Sequence, residues 1–288
     1  MDSLFHPDHE APWERLCQQC NALAAVADNW WSRIVVDPET VLRVDVDSIE
    51  VRLRGNVLLT VEPRGQSLHC RIDPAWLLRF HPGGRAVLGE DGLAPEPAWV
   101  NSLEELGRSY AQVRRRACQH ADRRQSVLDR LFLRHGAILA IDAPLGPGRI
   151  DLVALGPDGA CVFFFLRRYQ DADLRLAGPG GVGHKLLAWD AWLRESGPAL
   201  DHVASLLDRS RLLHGPRQNR FARLPAPRRV HQRARLLIVD FDHAQRLHGL
   251  AKLRGDLEAG LDRTASGDDI LAIGDPGNIT HSTFFSAI

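Results

Sequence analysis

The chain has 288 residues, with 36 basic and 36 acidic side chains, so its formal net charge at pH 7 is zero. Hydrophobic residues make up 44% and charged residues 25%, which is typical of globular proteins and excludes a collagen, a coiled coil or a wholly disordered chain. The charge is unevenly spread. Residues 1–100 hold nine arginines against fifteen acids, which leaves 27 bases and 21 acids for the rest of the chain. Only Lys185 and Lys252 are lysines.

Several features predict a cytoplasmic protein with no membrane partner. The longest apolar run, Cys161–Leu166, is far shorter than the roughly 18 residues that a membrane helix needs. The first residues are acidic and lack the apolar core of a signal peptide. Five cysteines, an odd number, suit a reducing compartment better than a disulfide scaffold.

The first hundred residues are predicted to form a helix followed by antiparallel strands. Residues 11–27 have apolar side chains at helical spacing, and Cys17 and Cys20 fall on that apolar face as small hydrophobic residues. A zinc site that also uses His6 and His9 is the alternative interpretation. From Arg33 to about residue 72 the pattern shifts to alternation, which indicates a small meander with one buried face.

A domain boundary is predicted near residue 100. Residues 81–99 are rich in Gly and Pro, which is typical of a linker. The chain is therefore divided into a strand-rich domain, residues 1–100, and a second domain, residues 101–288. The second begins with a predicted helix from Ser102 to His135, where Glu105 completes a capping box with Ser102. Its arginines are predicted to form either a solvated face or a face toward phosphate; they include Arg114, Arg115 and Arg116.

Residues 145–194 carry the most specific pattern. Gly148–Leu155 is predicted to be a strand, Gly156–Gly159 a hairpin turn and Ala160–Arg168 a second, fully buried strand. A glycine-rich loop, residues 178–183, then leads into a helix that contains Trp189 and Trp192.

Over about residues 120–240 this pattern resembles the PD-(D/E)XK superfamily of nucleases, which have the restriction-endonuclease-like fold. The chain keeps the G-R-I-D-L strand (Gly148–Leu152), the D-G turn (Asp158–Gly159) and the tryptophan spacing of one branch of that superfamily. Where that branch has E-L-K-R, this chain has Phe165, Leu166, Arg167 and Arg168. Lys185 stands at a position that is glutamine in that branch.

The resemblance implies a metal-dependent phosphodiesterase site from which parts are missing. In such a nuclease two carboxylates hold Mg²⁺, the metal activates a water, and a lysine assists. Asp151 would be the first carboxylate, but Phe165 replaces the second, and a phenyl ring cannot ligate Mg²⁺. Arg167 replaces the lysine, which keeps the charge but changes the geometry. We therefore expect Asp151 to form an ion pair beside Arg167 and Lys185 in a degenerate site that binds no cofactor.

The alternative is an active, Mg²⁺-dependent endonuclease with displaced catalytic residues. In that case Lys185 would be the migrated lysine, and Asp129 or Asp142 would supply a carboxylate. Asp240 and Asp242, two residues apart at a strand end, offer another pair of carboxylates, but Asp242 is predicted to cap the following helix.

A basic segment supports an anionic partner. Residues 209–235 hold nine arginines and no acid: Arg209, Arg211, Arg217, Arg220, Arg223, Arg228, Arg229, Arg233 and Arg235. Arginine is well suited to bidentate contact with phosphate, so nucleic acid is the expected partner, with DNA favoured over RNA. A solvated loop is the alternative interpretation. A further alternative is a protein–protein interaction module in which the acidic N-terminal domain binds another protein.

The remaining sequence completes the expected fold class. Residues 235–242 and 269–274 are predicted to be strands, separated by a helix over residues 243–261. The whole is expected to be an α+β or α/β protein: a mixed, restriction-endonuclease-like sheet flanked by helices, preceded by the small strand-rich domain.

Overall fold

The computed structural model describes residues 12–45, 47–64, 67–72, 107–261 and 269–285. The chain divides into two compact units. The first comprises residues 1–129 and 207–222, and the second comprises residues 130–206 and 223–288. The predicted linker at residues 81–99, the boundary near residue 100, the Ser102–Glu105 capping box, His6 and His9 all lie outside the described residues.

The first unit starts with two helices, α1 (Pro12–Ala25) and α2 (Trp30–Val36). The alternating pattern predicts strand from Arg33 onward, and this is wrong at its start, because Arg33 lies in α2. The Asn29 side chain decides the local structure: its oxygen accepts a hydrogen bond of 2.7 Å from the backbone N–H of Ser32, which caps the helix.

Four antiparallel strands follow and pair in chain order. They are β1 (Thr40–Val44), β2 (Ile49–Leu53), β3 (Asn56–Arg64) and β4 (Ser67–Ile72). This confirms the predicted antiparallel sheet. Its apolar face packs with Leu16, Cys17 and Cys20 of α1 in one buried cluster. The two cysteines thus lie in the core as small hydrophobic residues, and burial raises the pKa of the Cys17 thiol to about 12.

The single helix predicted from residue 102 to 135 is interrupted where the structure describes it. Two separate helices in this range are α3 (Tyr110–Gln119) and α4 (Arg123–Arg134). Asp122 separates them, because its carboxylate accepts a hydrogen bond of 2.7 Å from the backbone N–H of Gln125 and so starts a new helix.

The second unit contains a mixed sheet of six strands. An antiparallel meander of β5 (Ile138–Leu145), β6 (Gly148–Leu155) and β7 (Ala160–Arg168) forms one side. On the other side β9 (Arg235–Val239) pairs parallel with β7, and β10 (Ile270–Ala272) pairs parallel with β9. The short β8 (Arg229–Val230) also pairs with β7. Strand β7 is therefore central, which explains its unbroken run of apolar residues.

The described helices of the second unit follow β7 and β9 in sequence. They are α5 (Val182–Arg194), α6 (Gly197–Leu212, which ends in the first unit), α7 (His243–His248), α8 (Leu250–Gly260) and α9 (His281–Phe285). The helix predicted over residues 243–261 is broken at Gly249. As predicted, Asp242 caps α7 by accepting from the backbone N–H of Gln245 at 2.7 Å. Within the described ranges no helix is both long and apolar enough to cross a bilayer.

Candidate functional site

The sheet register brings the residues of the nuclease-like pattern together. Leu152 pairs with Phe164 across β6 and β7, so Asp151 stands opposite Phe165, one residue beyond that pair. Residues two apart on a strand point to the same face. Asp151, Phe165 and Arg167 therefore share one face of the sheet, as the predicted site requires.

The Asp151 carboxylate is buried and held by two donors. Its Oδ2 accepts hydrogen bonds from the backbone N–H of Leu166 at 2.8 Å and from Nη1 of Arg167 at 2.6 Å. Asp151 and Arg167 are only 4% and 3% exposed. The expected ion pair is present, and it compensates the cost of burying each charge.

A second carboxylate, which the sequence pattern does not indicate, completes this arrangement. Asp173 lies in a short 3₁₀ turn, Ala172–Leu174, and its Oδ2 accepts from Nε of Arg167 at 2.7 Å. The same oxygen accepts from Nζ of Lys185 at 3.1 Å. Lys185 was expected beside Asp151, but its partner is Asp173. Asp151, Arg167, Asp173 and Lys185 thus form a continuous chain of ion pairs, named here the ion-pair network.

The pKa of Asp173 reflects its position in this network. Partial burial alone would raise the pKa, but the charge of Arg167 and hydrogen bonds from Arg167 and Lys185 outweigh it. The net result is a pKa below the usual range for aspartate. Asp173 is therefore a carboxylate anion at neutral pH.

Phe165 occupies the place where the resemblance expects the second carboxylate. It is 2% exposed, and its ring packs edge-on against Trp189 with centroids 6.1 Å apart. The guanidinium carbon of Arg167 lies 5.4 Å from the centre of the same ring. At the position that the resemblance gives to the second carboxylate, the structure thus has an apolar ring beside a guanidinium group, neither of which can ligate Mg²⁺.

The two alternative carboxylates have other partners. Asp142 stands opposite Asp151 in the β5–β6 register, between the pairs Ile141–Leu152 and Ala143–Ile150. Its backbone, however, is left-handed, with φ of 47°, and its Oδ1 accepts from Nε of Arg149 at 3.0 Å.

Asp129 belongs to the first unit and has its described partners there. Its carboxylate accepts from Nε of Arg52 at 3.2 Å and from the backbone N–H of Gly55 at 2.6 Å. Burial raises the pKa of Asp129 despite these favourable contacts.

The remaining metal candidates have structural roles as well. Asp240 forms an ion pair of 3.1 Å with Nε of Arg168, and Asp242 caps α7. In the part of the chain that the structure describes, no group of three or more His, Cys, Asp or Glu side chains could hold a metal ion.

Arginines of the basic segment that belong to the first unit contact protein groups. Arg211 donates to the Phe221 carbonyl at 3.3 Å, and Arg217 donates to the Thr40 carbonyl at 3.1 Å. The guanidinium of Arg209 lies 5.7 Å from the ring centre of Trp13, and that of Arg220 lies 4.8 Å from the ring centre of Phe221. Burial, with a smaller effect of Arg217, lowers the pKa of Arg220 to about 10.

The three arginines singled out in the predicted long helix differ in exposure. Arg114 pairs with Asp37 at 3.0 Å and with Glu39, Arg115 is exposed, and Arg116 is half-buried. Of these, Arg115 is the one whose charge faces solvent most fully.

In the second unit, acids from distant parts of the sequence neutralise part of the basic segment. Arg229 pairs with Asp158 at 2.5 Å, and both Arg233 and the fully buried Arg235 lie beside Asp269. The absence of acids within residues 209–235 therefore overstates the free positive charge. Arg223 and Arg228 are solvent-exposed.

The loop that carries Arg228 is attached to the β6–β7 hairpin. The backbone N–H of Arg228 donates to the Gly159 carbonyl at 2.8 Å. Gly159 has φ of +82°, and a Cβ at this position would lie 2.6 Å from the Ala226 carbonyl oxygen. Only glycine suits this hairpin turn, because both the backbone conformation and the close approach of the loop exclude a side chain.

No protein-family model, no curated protein and no solved structure matches this chain. The resemblance to nucleases therefore stays a prediction from short motifs and their spacing: Gly148–Leu152, Asp158–Gly159 and the two tryptophans of α5.

Proposed function

We propose that this chain is a nuclease-related protein that no longer cleaves and that binds nucleic acid, alone or as a non-catalytic subunit of a nucleic-acid-processing complex. The observation that carries the proposal is an ion pair: the guanidinium of Arg167 lies 2.6 Å from the carboxylate of Asp151, which would be the first metal ligand. Phe165 opposite this carboxylate removes the second ligand.

The ion-pair network opposes metal binding energetically. A Mg²⁺ ion at Asp151 would have to displace Arg167 and would then leave a buried guanidinium with one partner fewer. Separating a buried ion pair costs about 3–5 kcal/mol. Mg²⁺ also requires near-octahedral oxygen ligation, which the ring of Phe165 does not provide.

Nucleic-acid binding is supported by arginines that face solvent. Arg223 and Arg228 in the second unit and Arg115 in the first are exposed. Arginine forks match phosphate geometry, and phosphate contacts dominate sequence-independent affinity. The affinity is therefore expected to fall steeply as the salt concentration rises.

One observation favours a second candidate, metal-dependent cleavage. Asp173 is a second carboxylate on the same guanidinium as Asp151, and Lys185 lies beside it. If substrate phosphate drew Arg167 away, two carboxylates and a lysine would be left near one another, which is the composition of a metal-dependent site.

Cleavage and binding assays separate these candidates. Single- and double-stranded DNA and RNA are incubated with the protein and Mg²⁺ or Mn²⁺, and binding is measured by mobility shift over a range of salt concentrations. We expect binding with a negative salt slope and no cleavage. Cleavage that disappears in both Asp151→Ala and Asp173→Ala would establish the active alternative instead.

A charge-removal series tests the binding surface. Replacing Arg223 and Arg228 together by alanine is expected to weaken binding and to flatten the salt slope by about two, because each arginine is expected to neutralise one phosphate. Arg246→Ala, which removes an exposed arginine of α7, is the matched control. Absence of binding to every nucleic acid at low salt would refute the proposed function.

A further inference from the structure

A groove lies within the second unit between α5, α8 and the segment that follows the 3₁₀ turn. It has a volume of about 370 Å³, within the range of roughly 300–1,000 Å³ that is usual for ligand pockets. Leu174, Leu253 and Leu257 form its buried floor, and Leu176 and Leu187 stand at its sides with exposures of 57% and 43%. Such exposed leucines beside a concave surface mark a binding site more often than isolated ones do.

The rim of the groove is polar and carries charges of both signs. Arg175 lies on it, fixed by a hydrogen bond of 2.8 Å to the Tyr169 carbonyl and stacked 4.7 Å from the centre of the Tyr169 ring. His184 and Asp256, both exposed, are the other charged or titratable groups of the lining.

The groove begins where the ion-pair network ends. Leu174 directly follows Asp173, and His184 directly precedes Lys185, whose side chain is 42% exposed. Arg175 on the rim and Lys185, which also keeps its ion pair with Asp173 at 3.1 Å, therefore stand next to an apolar cleft. Such a combination suits a ligand that joins an apolar, planar part to a phosphate.

We propose that this groove receives an unpaired base of a single-stranded nucleic acid, with the flanking phosphates at Arg175 and Lys185. The inference rests on the proposed function and adds the strand type. In a duplex the bases are stacked and paired, so their apolar faces cannot enter a leucine-lined cleft, whereas in a single strand they can. Arg175 on the rim and Lys185 beside the groove favour this occupant over an apolar peptide, which would gain nothing from the two cations.

Asp256 gives the groove a base preference. A carboxylate accepts hydrogen bonds from the exocyclic amines of cytosine, adenine and guanine, but thymine and uracil have no such amine. Strands of deoxycytidine or deoxyadenosine are therefore expected to bind more tightly than strands of deoxythymidine. Asp256→Ala is expected to remove this difference while leaving phosphate contacts intact.

The test measures the affinity for a labelled single-stranded DNA of mixed sequence and for its duplex by fluorescence anisotropy. Leu176→Glu and Leu187→Glu each place a carboxylate in the groove at an exposed position, and Leu247→Glu, at 59% exposure on α7, is the matched control outside it. Single-strand binding should weaken by at least about tenfold in the two groove variants, because a base that enters the groove would have to desolvate the introduced carboxylate. The control variant and duplex binding should be unchanged.

An abasic oligonucleotide of equal charge separates base entry from phosphate attraction. It should bind wild-type protein as weakly as the normal strand binds Leu187→Glu. Wild-type affinity of both groove variants for the single strand, with salt-dependent binding preserved, would overturn the groove inference and leave the proposed function standing. Absence of binding to any strand at low salt would overturn both. Circular dichroism and thermal melting establish that each variant is folded.

Discussion

Removing the Arg167 side chain is expected to destabilise the centre of the mixed sheet strongly. Arg167→Ala would remove from the carboxylate of Asp151, 4% exposed, the hydrogen bond and the opposite charge of Arg167. It would also deprive Asp173 of its closest cation, at 2.7 Å. Breaking one partner of a buried pair costs about 3–5 kcal/mol, because the remaining charge is uncompensated. The neighbouring Arg168→Ala breaks only the partly exposed pair with Asp240, which should cost at most about 1 kcal/mol.

The difference in stability between the two variants can be measured by native-state hydrogen exchange of peptides that cover residues 148–168. At 1.4 kcal/mol per tenfold change, Arg167→Ala should speed exchange of the most protected amides by roughly two to four orders of magnitude, and Arg168→Ala by less than one. The double variant Asp151→Asn with Arg167→Met should be more stable than Arg167→Met alone, because residue 151 is then neutral. Equal exchange rates in Arg167→Ala and Arg168→Ala would refute the claim that Asp151 depends on Arg167.

Three further predictions concern titration and thiol chemistry. The folded-state pKa of Asp173 lies below its unfolded value. Its contribution to stability is therefore present above about pH 4 and is lost as the pH falls through the folded pKa. Acid denaturation of Asp173→Asn should accordingly show a shallower pH dependence than that of the wild type. Burial lowers the pKa of His135, whose ring packs against Phe284 at 5.3 Å, so the free energy of unfolding should decrease as the pH falls below about 6.5, and His135→Gln should lack this decrease. Among the five reduced cysteines Cys118 alone is partly exposed, so a thiol reagent should modify one site quickly in the native protein and none quickly in Cys118→Ser.

Much of the second sheet could be predicted because local sequence determines it. The run from Ala160 to Arg168 has the length and composition of a fully buried strand, and the preceding Gly-Pro-Asp-Gly sequence allows only a tight turn. These two features alone set the β6–β7 register, and with it the shared face of Asp151 and Arg167.

The structural features that the sequence does not predict depend on contacts between distant residues or on short polar signals inside helical patterns. The helix break at Asp122 has a capping signal in the sequence, Asp122 followed by Gln125, but the surrounding helical periodicity obscures it. Asp173 follows the strand without any periodic pattern, and only folding shows that it reaches Arg167. For the same reason a local charge count cannot show that Asp158 and Asp269 neutralise arginines 71 and 36 residues away.

The attachment of the Arg228 loop to the hairpin has a consequence for association. The backbone bond to Gly159 and the Arg229–Asp158 ion pair hold the loop in one conformation before any partner arrives. A mobile loop would lose about 1–2 kcal/mol of conformational entropy for each residue that a partner immobilises. Here much of that entropy is already lost on folding, so contacts made by Arg228 would add to affinity with little ordering cost and would act mainly by slowing dissociation.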